Sequence, residues 1–278
     1  MKINPKYTQW GAVTILSGAT IFTIFILVFI IFFILEKGLP VLSLSFLTEN
    51  PKEMGKEGGI FPTLIGTIIL PVLALLIATP LGISTSVYLA EYTKETKITK
   101  IIRFGTDCLA GIPSIIFGLF GYIFFVITLE MGWSILSGGL TLAVMVLPTI
   151  IRTTEEAIRS VPNSYRKVSF SLGASRWQTV KKVVLPNALP GIVTGIMLSI
   201  GRSIGETAAV IFTAGSSLRI PSTIFDSTRT MAVHFYILAR EGISTENAYG
   251  TAATLIIAVL CVNLLAYFTM HRFIAKRS

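Results

Sequence analysis

An uninterrupted apolar block near the amino terminus limits most strongly what this chain can fold into. Residues 11–35 contain no charged side chain, and a helix needs about 20 apolar residues to cross the hydrocarbon core of a bilayer. A secretory signal peptide would have a shorter apolar core, followed by small residues at a cleavage site. Because this block ends in the bulky run 31–35, we predict a membrane-spanning helix that stays in the mature protein.

The rest of the chain repeats this pattern. The sequence is 53% hydrophobic and 13% charged, whereas soluble domains carry roughly 25% charged residues. Further apolar blocks lie at about residues 61–90, 108–129, 135–151, 189–214 and 250–270. The prolines inside the second block are tolerated in membrane spans, where neighbouring helices satisfy the freed carbonyl groups. The pattern predicts an all-α polytopic membrane protein with six transmembrane helices.

Basic residues are distributed unevenly among the loops. Most of the 23 lysines and arginines precede the first block or follow the second, fourth and sixth blocks. Cytoplasmic loops carry the excess of positive charge, so we expect both termini in the cytoplasm. The formal net charge of +9 lies between apolar blocks and not on one basic face. We therefore expect membrane lipid, and no nucleic acid, beside these residues.

The chain shows little sign of catalytic or metal chemistry. Cys108 and Cys261 lie in or beside apolar blocks without disulfide or metal spacing, and we expect two buried thiols. The sequence Gly55-Lys56 is followed by Glu57, so it is no phosphate-binding loop for a nucleotide. We expect no catalytic residue, no metal site and no cofactor on this chain.

The segment 163–186 forms the longest loop on the basic side. It reads as a short helix, a glycine and a second short helix. Gly173 suits the left-handed position that ends a helix, and Ser175 can cap the next one. We expect Pro186 to start the following membrane span.

Two opposite charges lie inside the fifth apolar block. Arg202 and Glu206 are four residues apart, so we expect them to share one helix face, where they can pair. They continue a stripe of small and polar residues that includes Ser199. Two interpretations stay open: a buried ion pair that fixes helix packing, or an oxyanion site on a transport path, for which a planar guanidinium fork is suited.

The loop 163–186 resembles the cytoplasmic loop of permease subunits in binding-protein-dependent ABC importers. In that pattern Leu-Pro stands twelve and thirteen positions after a glycine, as Leu185 and Pro186 do after Gly173. The usual acid-Ala-Ala stands before the glycine, and here Lys167, Val168 and Ser169 occupy those positions. The resemblance implies that 163–186 docks in a groove of the ATPase, with these residues and Ala174 contributing to the contact.

Other short sequence motifs narrow the resemblance to phosphate importer permeases. Residues 201–208 read Gly-Arg-Ser-Ile-Gly-Glu-Thr-Ala, residues 79–82 Thr-Pro-Leu-Gly, and residues 88–92 Tyr-Leu-Ala-Glu-Tyr. The run 234–242 and the short amino terminus are similar to the PstA type of permease. This implies a substrate pathway that includes Arg202, Glu206 and Ser199.

The resemblance also implies an architecture and partners. The fold would be that of a type I ABC importer permease, with residues 1–59 as a first helix and external loop, 60–272 as the permease domain and 273–278 as a cytoplasmic tail. The partners would be a second permease subunit, a pair of ATPase subunits that bind ATP and magnesium, and an external phosphate-binding protein. The alternatives are a permease for another oxyanion, such as sulfate or molybdate, and an ion-coupled secondary transporter.

Overall fold

The computed structural model describes residues 5–94 and 96–275, most of which are helical. The helices are α1 (Pro5–Gly38), α2 (Leu44–Thr48), α3 (Phe61–Val87), α4 (Lys97–Ala110), α5 (Ser114–Gly121), α6 (Ile135–Ser160), α7 (Asn163–Ser171), α8 (Arg176–Thr179), α9 (Leu185–Ile204), α10 (Ala208–Thr213), α11 (Met231–Arg240) and α12 (Thr245–Ala275). Wider π-helical turns extend α3, α5 and α8 over Tyr88–Tyr92, Tyr122–Thr128 and Val180–Val184. Strands β1 (Pro51–Lys52) and β2 (Glu57–Gly58) form a small antiparallel hairpin.

The predicted number of membrane spans is confirmed. In the described part of the chain, five helical segments are long and apolar enough to cross a membrane, and α4 with α5 makes a sixth if this bent pair is one span. The sequence predicts one helix over 108–129, but α4 ends at Ala110 and α5 begins at Ser114, with 101° between them. Pro113 disfavours the helical conformation at the residue before it, so the chain turns there.

Helix α6 forms the centre of the bundle. Leu142, Met145 and Ile150 are fully buried there, and α6 packs against both α3 and α9. The sequence predicts a shorter span, 135–151, because charged residues begin at Arg152. The helix continues to Ser160, since Glu155 and other polar residues of this end are buried against neighbouring helices.

The prediction of one helix over 189–214 is wrong. Helix α9 ends at Ile204 and α10 begins at Ala208. Gly201 and Gly205 weaken the helix here, and the Glu206 side chain accepts a hydrogen bond from the Ala209 N–H at 3.2 Å. That bond begins a new helix, so the chain breaks where the sequence places a continuous one.

At its other end, α9 is continuous with the preceding loop. Arg176–Ile204 forms one helical run through the π-turn. Pro186 lies in the first turn of α9, which begins at Leu185, and the wider turn over Val180–Val184 joins α8 to α9. The expectation that Pro186 starts the following membrane span stays a prediction. The Asn187 side chain donates to the Val183 carbonyl at 2.6 Å and supports this turn.

Helix α1 lies apart from the rest of the bundle. It contacts α12, where Gly38 approaches the backbone carbonyl of Tyr249 and the side chain of Ala253. The Phe33 and Tyr249 rings pack edge to face at 6.0 Å. The remaining described side chains of α1 are largely exposed, as in a helix that packs on lipid or on another subunit. The boundaries 1–59, 60–272 and 273–278 stay predictions, and 276–278 lie outside the described residues.

The expected burial of the cysteines is wrong. Cys108 and Cys261 are both exposed free thiols. Each lies on a helix face that is turned away from the protein, so an apolar sequence context did not indicate a protein interior.

Candidate functional site

The loop 163–186 folds as the sequence predicts, with a glycine between two helices. Helix α7 ends before Gly173, whose φ of +79° is the left-handed conformation. The Ser175 hydroxyl accepts the Gln178 N–H, and the Gln178 side chain accepts the Ser175 N–H. These reciprocal bonds form a capping box that starts α8.

A buried hydroxyl pair joins the two short helices. The Ser169 and Thr179 hydroxyl oxygens lie 2.8 Å apart, and both residues are buried. The Ala174 N–H donates to the Ser169 carbonyl at 3.2 Å. Ser169 is thus an internal brace of the loop and does not face outward.

An ion pair that the sequence did not reveal anchors the loop to the core. Both Nη2 and Nε of Arg166 donate to Oε1 of Glu91, at 2.6 and 3.0 Å. The Arg166 side chain is 14% exposed and the Glu91 side chain 9%. Arg166 also donates to the Val161 and Ile158 carbonyls at 2.6 and 2.8 Å, so it closes the end of α6 as well. An acid at the end of an apolar block was the only sequence signal.

The outward face of the loop is apolar and basic. Val168 and Lys167, two of the predicted contact residues, are exposed on α7. Around them lie other exposed apolar and basic side chains: Tyr165, Phe170, Leu172, Arg176, Trp177, Lys181 and Lys182. Leu185 and Pro186 are half-buried at the start of α9. We call this exposed surface of 163–186 the loop face.

The small residues of α9 serve helix packing. Gly191 and Gly195 face Ala157 and Thr153 of α6 so closely that an added Cβ would collide with them. Ser199 is fully buried, and its hydroxyl donates to the Gly195 carbonyl at 2.9 Å. This side of α9 is therefore closed by α6.

Arg202 and Glu206 do not form the ion pair that one interpretation expected. Within the described residues the ion pairs do not include either side chain. Arg202 is half-buried in the last turn of α9, and Glu206 is 9% exposed in the break. The buried carboxylate accepts the Ala209 N–H at the start of α10.

A large cavity adjoins this break. It measures about 1060 Å³ and lies among α5, α10 and α11. Thr207 and Ala208, which follow Glu206 directly, form part of its wall. Its polar lining includes Thr207, Ser216, Ser217, Ser227, Tyr236 and Arg240. The Arg240 guanidinium donates to the Tyr236 hydroxyl at 2.6 Å, and sequence reasoning had not selected either residue.

A buried arginine, Arg229, lies just before the start of α11. Arg229 is 5% exposed and donates to the Ser216 carbonyl at 2.9 Å. Its Nη1 lies 3.3 Å from Nδ1 of the buried His234. Burial, with a smaller effect from the Arg229 charge, lowers the pKa of His234 to about 4. His234 is therefore neutral near pH 7 and accepts a hydrogen bond from the arginine.

Across residues 5–94 and 96–275, no group of three His, Cys, Asp or Glu side chains is close enough to hold a metal ion. The notable features are instead a docking-type loop, a continuous helix behind it and a cavity at the far end of that helix. Together they define a membrane transport subunit.

Comparison with known proteins identifies the class. Residues 78–278 match the family described as binding-protein-dependent transport system inner membrane component, and the chain belongs to that family. It is thus a multi-pass inner-membrane permease subunit and not an enzyme.

Its relatives include PstA proteins. The chain is 36% identical over 255 residues to the phosphate transport system permease protein PstA of Pasteurella multocida, covering 89% of each chain. It is 34% identical over 259 residues to the PstA of Haemophilus influenzae, covering 91% of each. It is 37% identical over 257 residues to the probable ABC transporter permease protein YqgI of Bacillus subtilis, covering 87% of each.

Solved structures confirm the fold. A chain of the bacterial alginate ABC transporter, in complex with an alginate-bound periplasmic protein, aligns with a TM-score of 0.68 at 15% identity and 96% coverage of both chains. The MetNI methionine ABC transporter in an inward-facing conformation aligns with a TM-score of 0.62 at 19% identity, covering 77% of this chain and 94% of that one. The predicted type I importer permease fold is therefore confirmed.

Proposed function

We propose that this chain is one of two permease subunits of an ATP-driven importer for inorganic phosphate. The single observation that carries the proposal is the continuous helical run Arg176–Ile204. It connects the loop face, where an ATPase would bind, to Arg202 and Glu206, where an oxyanion would pass. The PstA relatives support phosphate as the substrate.

Coupling depends on the stiffness of this run. At 1.5 Å per residue, a run of 29 residues is roughly 43 Å long. The Glu91–Arg166 ion pair and the Ser169–Thr179 contact prevent the loop from moving independently of the helices behind it. Closure of two ATPase subunits on ATP and magnesium would therefore shift the loop as a rigid body and tilt α9.

The far end of the run supplies the substrate chemistry. The Arg202 guanidinium offers a planar fork of donors that fits two phosphate oxygens. The Glu206 carboxylate can accept the proton that phosphate carries and sulfate lacks. Ser199, which is closed off by α6, would support the position of Arg202 and would not touch the ion.

The orientation and partners follow from the same proposal. Both termini and the loop 163–186 lie in the cytoplasm, in agreement with the basic residues of these segments. The second permease subunit completes the pathway, and an external phosphate-binding protein delivers the ion above α11. The alginate transporter chain, which was solved with its periplasmic protein, supports a binding-protein partner of this kind.

The experiment that tests this function is uptake by the assembled complex in proteoliposomes. We expect phosphate uptake that needs ATP and the binding protein and that vanadate abolishes. Uptake of sulfate or molybdate in preference to phosphate would contradict the substrate. Vanadate-insensitive uptake driven by an ion gradient would indicate a secondary transporter instead.

A further inference from the structure

Helix α4 presents an apolar face that is turned away from the protein. Ile98, Ile101 and Phe104 are 70%, 69% and 70% exposed. At 3.6 residues per turn, the exposed apolar residues fall on one continuous side of the helix. The residues of this α4 face are Ile98, Ile101, Ile102, Phe104, Cys108 and Leu109.

The opposite side of α4 is polar and bound to α6. Nε of Arg103 lies 2.9 Å from Oε1 of Glu155, and Oδ1 of Asp107 lies 3.2 Å from Nη1 of Arg152. Thr99, on the same side, is buried. Two ion pairs one turn apart fix the rotation of α4 about its axis. These contacts therefore turn the apolar side chains of the α4 face away from the protein.

The length and direction of α4 do not suit a helix that crosses the membrane by itself. Its 14 residues measure about 21 Å, too short for a hydrocarbon core of about 30 Å. Its axis makes 101° with α5, which belongs to the third span. If α5 crosses the bilayer, α4 runs nearly parallel to the membrane surface at the end of that span.

Basic side chains stand at the start of this helix. Lys94, Lys97 and Lys100 are exposed, and the Thr96–Thr99 capping box already satisfies the first backbone donors. The ion pairs found among the described residues do not include these three lysines, so their ammonium groups remain available to an external anion. An apolar side bordered by lysines is typical of helices that lie in a lipid interface, where long basic side chains reach the headgroups.

We propose that α4 lies at the boundary between headgroups and acyl chains of the cytoplasmic leaflet, where its lysines bind the phosphates of anionic lipids. The assignment of α4 to the cytoplasmic leaflet rests on the orientation proposed above, but its depth in the bilayer does not. Charge complementarity favours lipid over a protein partner: the α4 face contains only apolar side chains and one thiol, and the charge at its border is positive. The Arg103 guanidinium also reaches the Leu89 carbonyl at 3.4 Å, so this lipid contact adjoins the Glu91 anchor of the loop.

Cys108 is a natural probe of this surface, because it is exposed on the α4 face. The full-length chain with Cys261→Ser would be assembled with cysteine-free partner subunits and labelled at Cys108 with an environment-sensitive fluorophore. In vesicles we expect quenching by lipids brominated near the headgroup and little quenching by lipids brominated near the chain end. A control label at Lys52→Cys, in the exposed β1–β2 hairpin away from α4, should be quenched by aqueous iodide instead.

The same label tests the headgroup. Brominated phosphatidylglycerol should quench it more strongly than equally brominated phosphatidylcholine, and Lys97→Gln with Lys100→Gln should remove most of that preference. One lysine near an anionic surface corresponds to about fivefold in lipid association. The control, Lys52→Gln with Lys56→Gln on the other side of the membrane, should retain the preference.

Two outcomes would overturn the proposal. Equal quenching by the two brominated lipids would contradict a preference for anionic headgroups. Strong iodide quenching at Cys108, or protection of Cys108 from labelling by a partner subunit in detergent, would contradict the contact with the membrane. Neither outcome depends on phosphate uptake, so the function proposed above would be judged separately.

Discussion

Glu91 and Arg166 lie 75 residues apart in the sequence and form a 2.6 Å ion pair at the base of the loop 163–186. Both guanidinium contacts go to the same carboxylate oxygen. The pair connects the end of α3 to α7, and it is largely shielded from solvent. Together with the buried Val180 and Val184, it holds the loop against the core.

Removing one partner of this pair should loosen the loop. Arg166→Gln leaves Glu91 with an uncompensated buried charge, which costs about 3–5 kcal/mol for a buried pair. We expect faster hydrogen exchange across 163–186 and a lower midpoint of thermal unfolding. Arg152→Gln is the matched control, because its ion pairs are exposed and are worth about 0–1 kcal/mol. Equal exchange in the two variants would show that the pair is no anchor.

Lys167 tests the charge of the ATPase groove. It is exposed on the loop face. The resemblance to the ABC importer loop implies an acid at this position, so we expect the matching groove to carry altered charge. Lys167→Glu should then reduce co-purification of the ATPase at low salt through like-charge repulsion, and high salt should weaken the effect. The control is Lys52→Glu, outside the loop face. A higher yield for Lys167→Glu would mean that the groove suits an acid.

Arg202 and Glu206 should respond differently to conservative changes. If Arg202 binds the passing ion, Arg202→Lys keeps the charge but loses the planar fork, and phosphate uptake should fall sharply. Because the described residues show no ion pair at Arg202, folding should change little. Uptake and thermal unfolding of the assembled complex are the measurements, and near wild-type uptake by Arg202→Lys would remove the residue from the pathway.

For Glu206, the cap and the pathway can be separated. Glu206→Gln keeps an oxygen that can accept the Ala209 N–H, whereas Glu206→Leu loses the cap at a cost of about 1 kcal/mol. If the carboxylate accepts the phosphate proton, Glu206→Gln should slow phosphate uptake and admit sulfate while stability is retained. If only the cap matters, Glu206→Gln should transport normally and Glu206→Leu should be defective.

The lowered pKa of His234 predicts that the stability of the protein depends on pH. That pKa is about 4 in the folded protein and 6.5 ordinarily, so the unfolded state binds more protons between these values. The contribution of neutral His234 to the free energy of unfolding is fully present above pH 6.5. It is lost as the pH decreases toward 4, by up to about 3 kcal/mol. Thermal unfolding against pH measures this loss. His234→Gln should flatten that part of the profile, and an unchanged slope would show that another group is responsible.

Local patterns in the sequence predicted a good part of this structure. Apolar length gave the spans, and a left-handed glycine with a capping serine gave the loop around Gly173 and Ser175. Each of these depends on residues that are close together along the chain. The extension of α6 to Ser160 was missed because the charged residues from Arg152 onward look, in sequence, like the end of a span, although Glu155 is buried against neighbouring helices.

The site was less predictable because its contacts are long-range. Helical spacing placed Arg202 and Glu206 on one face, but the two glycines and the Glu206 cap break that helix. The Glu91–Arg166 pair and the cavity lined by Tyr236 and Arg240 depend on how separate helices come together. Neither has a periodicity that could have indicated it.

The central claim is that a stiff loop transmits ATPase motion to the substrate path, and Gly173→Pro tests it most directly. Proline cannot adopt the φ of +79° at this position and lacks the N–H that donates to the Phe170 carbonyl at 2.9 Å. Gly242→Pro is the matched control, since Gly242 has a φ of +65° but lies outside the loop. The measurement is the number of phosphate ions taken up per ATP hydrolysed in proteoliposomes. We predict that the ratio collapses for Gly173→Pro and persists for Gly242→Pro; an unchanged ratio for Gly173→Pro would contradict the account.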